Sequence, residues 1–394
     1  MSVFFDQASL VLVPSGYKSG VVYSQKPMTT DGQLTFARAS TATRVNSSGL
    51  IASVASGVPR LDYTNSTCPK LLLEPQRTNL LTYSEQFDNA AWSLLDSGSG
   101  STPVVTANYT TSPDGTQNAD RIQFSSSTAS TGDFSLVASD LFNLPSTGTA
   151  TLYVKSLTSG TQNLLMYWGG GQGDVFEVTT QWTRITLSNL SSATQSIVFG
   201  TRGGAGNYFS GGDATLDIAV WGAQLEAGAY ATSYIPTTSA AVTRLGDDLS
   251  TTKLQSGSLI GATAGTFFIE TNKTDDAIWF NQRIFLTSTT VRAFLMDTTG
   301  GQLRLRVWDA SSFGPTITTS GLTNGTVKYL VKWDGTTVKV FANGSLVGSG
   351  AATSFGYTTY SAYESTSYSN NEIKQLLFFT SALSDAQCIE LTAV

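Results

Sequence analysis

Histidine is absent from all 394 residues. Its absence removes the side chain that most often serves as general base or metal ligand, and with it every Ser-His and Cys-His nucleophile arrangement. Cysteine is nearly absent. Cys68 and Cys388 stand far apart, neither in a CxxC pair, and two such residues make no disulfide framework. Two small, buried or partly buried thiols are expected instead. Charge is scarce: Asp, Glu, Lys and Arg make up 13% of the chain, about half the share usual in soluble proteins. The net charge is −6 and no Lys/Arg cluster occurs, which argues against a nucleic-acid groove. No apolar run approaches the roughly 18 residues of a membrane-spanning helix, so no membrane insertion is expected. The first residues, MSVFFDQASLVLVPSGYKSG, lack the basic region and cleavage site of a secretory leader, so synthesis in a cytoplasm is expected.

What is present is Ser, Thr, Asn, Gln and Gly, interleaved with short β-rich runs. No segment carries a sustained 3.6-residue apolar period, so the expected class is all-β. The length suits two or three domains. Leu10–Val13, Gly20–Tyr23 and Leu34–Arg38 read as short strands within an irregular, extended N-terminal module over 1–85. Residues 86–243 hold TATLYVKSL, LLMYW, DVFEVTT, QWTRITLSNL, QSIVFGTR and TLDIAVWGAQLEA. Their spacing of roughly ten residues, with Gly, Ser and Asn turns between, predicts a β-sandwich or jelly roll. Within LDIAVWGAQLE, Leu216, Ile218 and Val220 alternate with Asp217, Ala219 and Trp221, as a half-buried strand requires. The small residues of Thr237–Gly246 predict a linker, with a domain boundary near Val242.

A second sandwich is expected over 244–394. In VKYLVKWDGTTVKVFANGSLVGSG, Val327, Tyr329, Val331 and Trp333 share one face, and Lys328, Leu330 and Lys332 the other. Asp334-Gly335 and Asn343-Gly344 read as two-residue hairpin turns of the primed type. Ser384 and Gln387 have the spacing of a capping box. A cut in the linker is expected to release residues 247–394 as a folded fragment, while residues 1–85 order only in an assembly.

Two stretches are distinctive. Pro59–Trp92 reads PRLDYTNSTCPKLLLEPQRTNLLTYSEQFDNAAW. It holds the apolar run Leu71-Leu72-Leu73 among Arg60, Asp62, Glu74 and Arg77, which read as structural charge pairs beside a buried strand. The other is WGAQLEAGAYATSYIPTTSAAVTR, from Trp221 to Arg244. With FARASTATRVNSSGLI upstream, these resemble signatures of bacteriophage virion proteins of the tail-fibre and head-fibre kind. The middle region resembles jelly-roll carbohydrate-binding modules. The last part resembles the concanavalin A-like fold in its laminin-G-like branch. The resemblance implies a non-enzymatic structural protein on the virion surface, a homo-oligomer that is most often a trimer. Its N-terminal module would attach to capsid or tail proteins, and its outer domains would adhere to host-surface glycans. A capsid-bound head fibre or decoration protein, and a glycan-degrading tailspike, are the alternatives.

Chemistry is sparse. A glycoside hydrolase needs two facing carboxylates, and no ExDxxE pattern occurs. Glu177, Glu270 and Glu364 are isolated, and Asp275-Asp276 reads as a solvated turn. Asp247-Asp248 and Asp275-Asp276 are conceivable calcium donors, but neither has DxDxDG spacing, so no metal and no cofactor is assigned. The remaining candidates are aromatic. Tyr167 and Trp168 precede the Gly-rich loop of LLMYWGGGQGDVF and read either as core or as platforms for a sugar ring. SFGYTTYSAYESTSYSN, from Ser354 to Asn370, holds Tyr357, Tyr360, Tyr363 and Tyr368 among Ser, Thr and Asn. That is the composition of recognition surfaces and also of two strands with alternating Tyr, and both readings stand.

Overall fold

The computed structural model describes residues 2–127, 130–169, 171–204, 210–261, 263–273, 285–287, 294–299, 302–309, 312–318, 325–351, 357–361 and 371–394. The chain is all-β apart from short helices, as its sequence predicts. It divides into two compact units. One comprises residues 50–52 and 77–244, the other 1–49, 53–76 and 245–394.

The 77–244 unit is a sandwich of two five-stranded antiparallel sheets. Its strands are β1 (Trp92–Ser97), β2 (Ser101–Thr110), β3 (Ala119–Ser125), β4 (Phe134–Ser139), β5 (Gly148–Ser156), β6 (Gln162–Trp168), β7 (Gln172–Val178), β8 (Thr183–Leu190), β9 (Ile197–Arg202) and β10 (Thr215–Ala227). One sheet has the order β2-β3-β10-β5-β8 and the other β1-β4-β9-β6-β7. From β3 onward the chain crosses between sheets so that the eight strands pair as two interleaved Greek keys, which is a jelly roll. Strand alternation fills the space between: Ile122, Phe124, Val137, Met166, Phe199, Ile218 and Val220 face a shared core. The two ends of the unit are stapled by pairing of Arg77–Asn79 with Val242–Arg244. Beside this pairing the buried Asn79 amide donates to the carbonyls of Ala223 (3.0 Å) and Ile235 (2.9 Å).

In the other unit one antiparallel sheet runs Ser345–Ala351, Thr337–Ala342, Gly325–Trp333, Gly265–Lys273, Asn371–Phe379, Lys70–Leu73, Arg60–Asp62, and Leu10–Leu12 also pairs with Asn371–Phe379. A second sheet runs Tyr17–Lys18, Val21–Tyr23, Gln33–Ala37, Asp248–Thr251, Thr359–Ser361, Phe285–Thr287. The first sheet is apolar on both faces. Phe267, Ile269, Tyr329, Val331, Trp333 and Phe378 face the second sheet. Phe268, Leu330, Phe341 and Leu377 face the other way, where the helices α1 (Ser2–Gln7) and α2 (Asp385–Thr392) supply Phe4, Cys388 and Leu391. The capping box at Ser384 and Gln387 is formed, with both reciprocal bonds.

This arrangement corrects four expectations. The N-terminal residues are not a separate extended module over 1–85. Their strands complete both sheets of the C-terminal unit: Gly265–Lys273 covers one edge of Asn371–Phe379, and the other edge is shared end to end by Lys70–Leu73 and Leu10–Leu12. The expected fragment 247–394 therefore lacks strands of its own core. The Asp334–Thr336 loop has three residues, and only Gly335 has positive φ (96°). Asp334 accepts instead from the Thr336 and Thr337 amides, so only Asn343-Gly344 (φ 44° and 78°) is a two-residue primed turn. Cys68 is exposed, while Cys388 is buried.

Buried charge ties the segments of this unit together. Arg38 donates to Asp247 at 2.9 Å, Arg60 donates to Glu74 at 2.7 Å and also to Asp247, and the Glu74 amide donates to Asp247 at 2.8 Å. Burial alone would lower the Arg60 pKa, but the facing carboxylates of Asp247 and Glu74 outweigh it and raise it above its ordinary value. Removing one partner leaves an uncompensated buried charge, at a cost of about 3–5 kcal/mol.

Two outcomes follow. Arg60→Ala is expected to lower the unfolding free energy by about 3 kcal/mol in denaturant titration, and an unchanged midpoint would refute the coupling. Residues 77–244 expressed alone are expected to unfold cooperatively, without the packing of Leu50–Ala52. Residues 245–394 alone are expected to be protease-sensitive and without cooperative unfolding, and a stable 245–394 fragment would show that its partner strands are dispensable.

Candidate functional site

The sugar-ring platforms expected from the sequence are mostly core. Trp168 is fully buried and donates from Nε1 to the Ser191 carbonyl at 3.1 Å. Tyr357 is fully buried with its ring edge-on to Trp333, 5.5 Å between centroids. Tyr360 is fully buried between Phe267 and Phe378. Burial pushes both phenols above their ordinary pKa. No ring face remains for a ligand, so these three are corrected from binding to packing residues: Trp168 follows the inward alternation of Leu164 and Met166, Tyr360 sits on the strand Thr359–Ser361, and Tyr357, just before that strand, is drawn into the same core. Among the described candidates, Tyr167 alone keeps a surface position. It is half-buried on the outer face of the β1-β4-β9-β6-β7 sheet, against Leu136, Ala138 and Val198. Tyr363, Tyr368, Glu364 and Asp275-Asp276 lie outside the described residues. Among the described residues no group of three His, Cys, Asp or Glu side chains is placed to hold a metal ion, and no helix is long and apolar enough to cross a membrane.

A different surface has the chemistry of a polar binding site. On β3, Ile122 and Phe124 point into the core, so Arg121, Gln123 and Ser125 point out. The register places Gln123 opposite Asp217 and Ser125 opposite Thr215 on β10, and Val104 of β2 opposite Gln123. Beside these positions lies a cleft of about 590 Å³, lined by Thr102, Val104, Gln123, Thr158, Gln162 and Asp217, with the core-facing Phe124 and Leu216 also in its wall.

Hydrogen bonds fix its walls. The buried Gln162 amide bridges β6 to the β10 backbone, donating to the Asp217 carbonyl (2.9 Å) and accepting from the Asp217 amide (2.8 Å). Arg121 grips the Asp217 carboxylate with both Nε (2.7 Å) and Nη2, and Gln123 donates to the same carboxylate at 3.4 Å. This two-pronged hydrogen bond raises the Arg121 pKa, though both side chains stay about a quarter exposed. The Arg121 guanidinium also lies over the Tyr109 ring, 5.0 Å from its centroid, and Tyr109 is 45% exposed. The surface thus offers an aromatic face, a neutralised guanidinium–carboxylate fork, amides and hydroxyls in a row. It can stack on a flat apolar face and exchange hydrogen bonds with hydroxyls.

None of Tyr109, Arg121 or Gln123 stood out in the sequence. The usable signal was the alternation in ADRIQFS, which turns Arg121, Gln123 and Ser125 to one side. Tyr109 joins them through the neighbouring strand of a hairpin, but their meeting with Asp217 depends on pairing with a strand roughly 95 residues further along the chain.

No protein-family model matches this chain, and no curated protein matches it. Among solved structures, the chain is similar to the Ruminococcus gnavus IT-sialidase CBM40 bound to α2,3-sialyllactose: 19% identity, over 34% of this chain and 84% of that one, TM-score 0.29. Domain 4 of the Geobacillus stearothermophilus arabinanase AbnA, in complex with arabinotriose, matches at 12% identity over 41% of this chain and 82% of that one, TM-score 0.30. The botulinum neurotoxin serotype D binding domain matches at 13% over 36% of this chain, which spans 40% of that one, TM-score 0.29.

Tyr360 provides a check on the burial argument. Its hydroxyl has no hydrogen-bond partner among the described residues, so Tyr360→Phe removes an unsatisfied polar group and is expected to leave stability equal or higher. Tyr360→Ala is expected to cost about 3–5 kcal/mol. Denaturant midpoints of the two variants decide, and a Tyr360→Ala protein as stable as the parent would return this residue to the surface.

Proposed function

We propose that this chain is a non-enzymatic structural protein of a phage virion, a fibre or appendage, that adheres to glycans through the outer face of the β2-β3-β10 sheet. The observation that carries the adhesion reading is the row Tyr109, Arg121, Asp217 and Gln123 beside a cleft lined by hydroxyls and amides. Sugars present one apolar ring face and a rim of hydroxyls, and this row answers both. The Arg121–Asp217 fork is preorganised, so little is lost in ordering it on binding. The virion reading rests on the resemblance of Pro59–Trp92 and Trp221–Arg244 to phage fibre sequences. It brings with it a homo-oligomer, most often a trimer, attachment to capsid or tail proteins, and a place on the particle surface.

Repetition is what makes weak single-site affinity sufficient. Several copies on one particle raise avidity over a single site by about 10²–10⁴. The test is calorimetric titration of the full chain with a panel of purified bacterial surface polysaccharides, together with its mass by light scattering. At least one polysaccharide is expected to bind in the millimolar range per site, with the solution mass a multiple of that of one chain. Tyr109→Ala is expected to weaken binding about fivefold, the worth of a stacking contact of roughly 1 kcal/mol. Asp217→Asn, which breaks the fork, is expected to weaken it further. Binding to none of the panel, or undiminished binding by both variants, overturns the adhesion reading, and a monodisperse monomer overturns the oligomer.

A further inference from the structure

The unit of residues 1–49, 53–76 and 245–394 carries a second cleft, of about 670 Å³, lined by Asn46, Ser47, Gly49, Tyr63, Asn65 and Thr67, with Ser66 beside them. We infer that this cleft is a saccharide site of its own, separate from the outer-face site, and that it takes uncharged sugars.

Two loops build it, and each is held by its own backbone. In the first, the Gly49 amide donates to the Asn46 carbonyl at 2.9 Å and the Ser48 amide to Asn46 Oδ1 at 2.9 Å. Gly49 takes φ of +78° with open space where a Cβ would stand, so the backbone itself forms one wall. In the second, the Ser66 amide donates to the Tyr63 carbonyl at 3.0 Å and the Cys68 amide to Ser66 Oγ at 3.1 Å, and Asn65 adopts φ of +54°. The Tyr63 amide bonds the Val45 carbonyl at 3.0 Å and ties the two loops together. The Tyr63 ring packs its inner side against the hydrophobic core and is half-buried, so a fixed aromatic surface stands in the cleft.

Around that ring the exposed Ser47 hydroxyl, Asn65 amide and Thr67 hydroxyl make no hydrogen bond to the protein among the described residues. An aromatic surface ringed by such donors and acceptors suits a pyranose. The sign of the charge narrows the ligand. No charged side chain lines the cleft. Asp62, one residue before Tyr63, is buried and accepts from the amides of Val45 and Thr64, both at 2.8 Å. Arg44 is turned to the Leu61 carbonyl instead. An acidic sugar finds no countercharge here and a carboxylate next in the chain to Tyr63, whereas a neutral one meets no penalty.

Cys68 supplies the readout. It is exposed one residue beyond Thr67, while Cys388 is buried and its thiol is pushed up to about 12 by that burial. A maleimide dye therefore labels Cys68 alone in the full chain. The labelled chain is titrated with lactose, maltotriose and cellotriose, and separately with 3′-sialyllactose, and calorimetry on the unlabelled chain gives the affinities. At least one neutral sugar is expected to give a saturating dye response, with 3′-sialyllactose at least fivefold weaker. Asn65→Gly, which keeps the left-handed backbone and deletes the amide, is expected to weaken binding about fivefold. Tyr63→Leu, which keeps the inward packing and removes the ring, is expected to weaken it more. Tyr109→Ala, in the other unit, is expected to leave the response unchanged, which separates this site from the outer-face reading. No response to any neutral sugar, equal affinity for 3′-sialyllactose, parental affinity in Asn65→Gly, or loss of the response in Tyr109→Ala overturns the inference.

Discussion

Asp247 sits between two arginines with no access to water, and the larger unit depends on it. The chain leaves that unit after Gln76 and returns at Leu245. Glu74 lies just before the departure and Asp247 just after the return. Arg60 binds both carboxylates, and Arg38 binds Asp247 while also donating to the carbonyls of Ser40, Ala55 and Val58. Four segments are fixed by one buried set of charges. Such a set adds little net stability over an apolar replacement, but any one missing partner is costly. It therefore works as a register pin: sheet pairing that misplaced these segments would leave a bare charge in the core.

Polar satisfaction explains the other distinctive stretch as well. In Trp221–Arg244, Gln224 accepts from the Ile235 amide at 2.7 Å, and the buried Glu226 accepts from the Thr232 amide at 2.7 Å and the Thr232 hydroxyl at 2.8 Å. Tyr234 hydrogen-bonds Ser84 at 2.7 Å and donates to Glu85 at 2.8 Å. These residues hold an irregular segment against a strand whose two sides are both buried. Their chemistry is spent inside the fold. The surfaces free to meet a ligand are built from ordinary outward-facing strand and loop positions, where a side chain need only point away from the core.

The two clefts differ in how they are held. The first cleft is lined largely by paired strands, and the fork beside it is rigid because both partners sit on adjacent hydrogen-bonded strands. The Tyr63 cleft is on loops whose backbone bonds are local, and its rigidity comes from the ring's packing on the core. Each is preorganised, by a different means, and preorganisation is what keeps the entropic cost of a weak contact small.

Local patterns in the sequence determined a good deal. The ten-residue spacing of strands in the middle region, the core-facing set Leu216, Ile218 and Val220, the faces of Val327–Trp333 and the capping box at Ser384 all reflect interactions between near neighbours and are present in the fold, although the strand through Ala219 and Trp221 is buried on both sides rather than half-buried. The scarcity of charge and the lack of histidine likewise follow from composition alone. Three things were decided only by tertiary structure. The N-terminal strands joined the C-terminal unit, because one edge of Asn371–Phe379 is satisfied by two segments roughly 300 residues away, and no local period encodes such a pairing. Tyr357 and Tyr360 both became core, because the chain straightens into a strand only at Thr359, after Tyr357, and packing against the facing sheet rather than a local alternation set their burial. The candidate site arose where Tyr109, Arg121 and Asp217 meet across three strands, a register set by the whole sandwich and written in no single stretch of the chain.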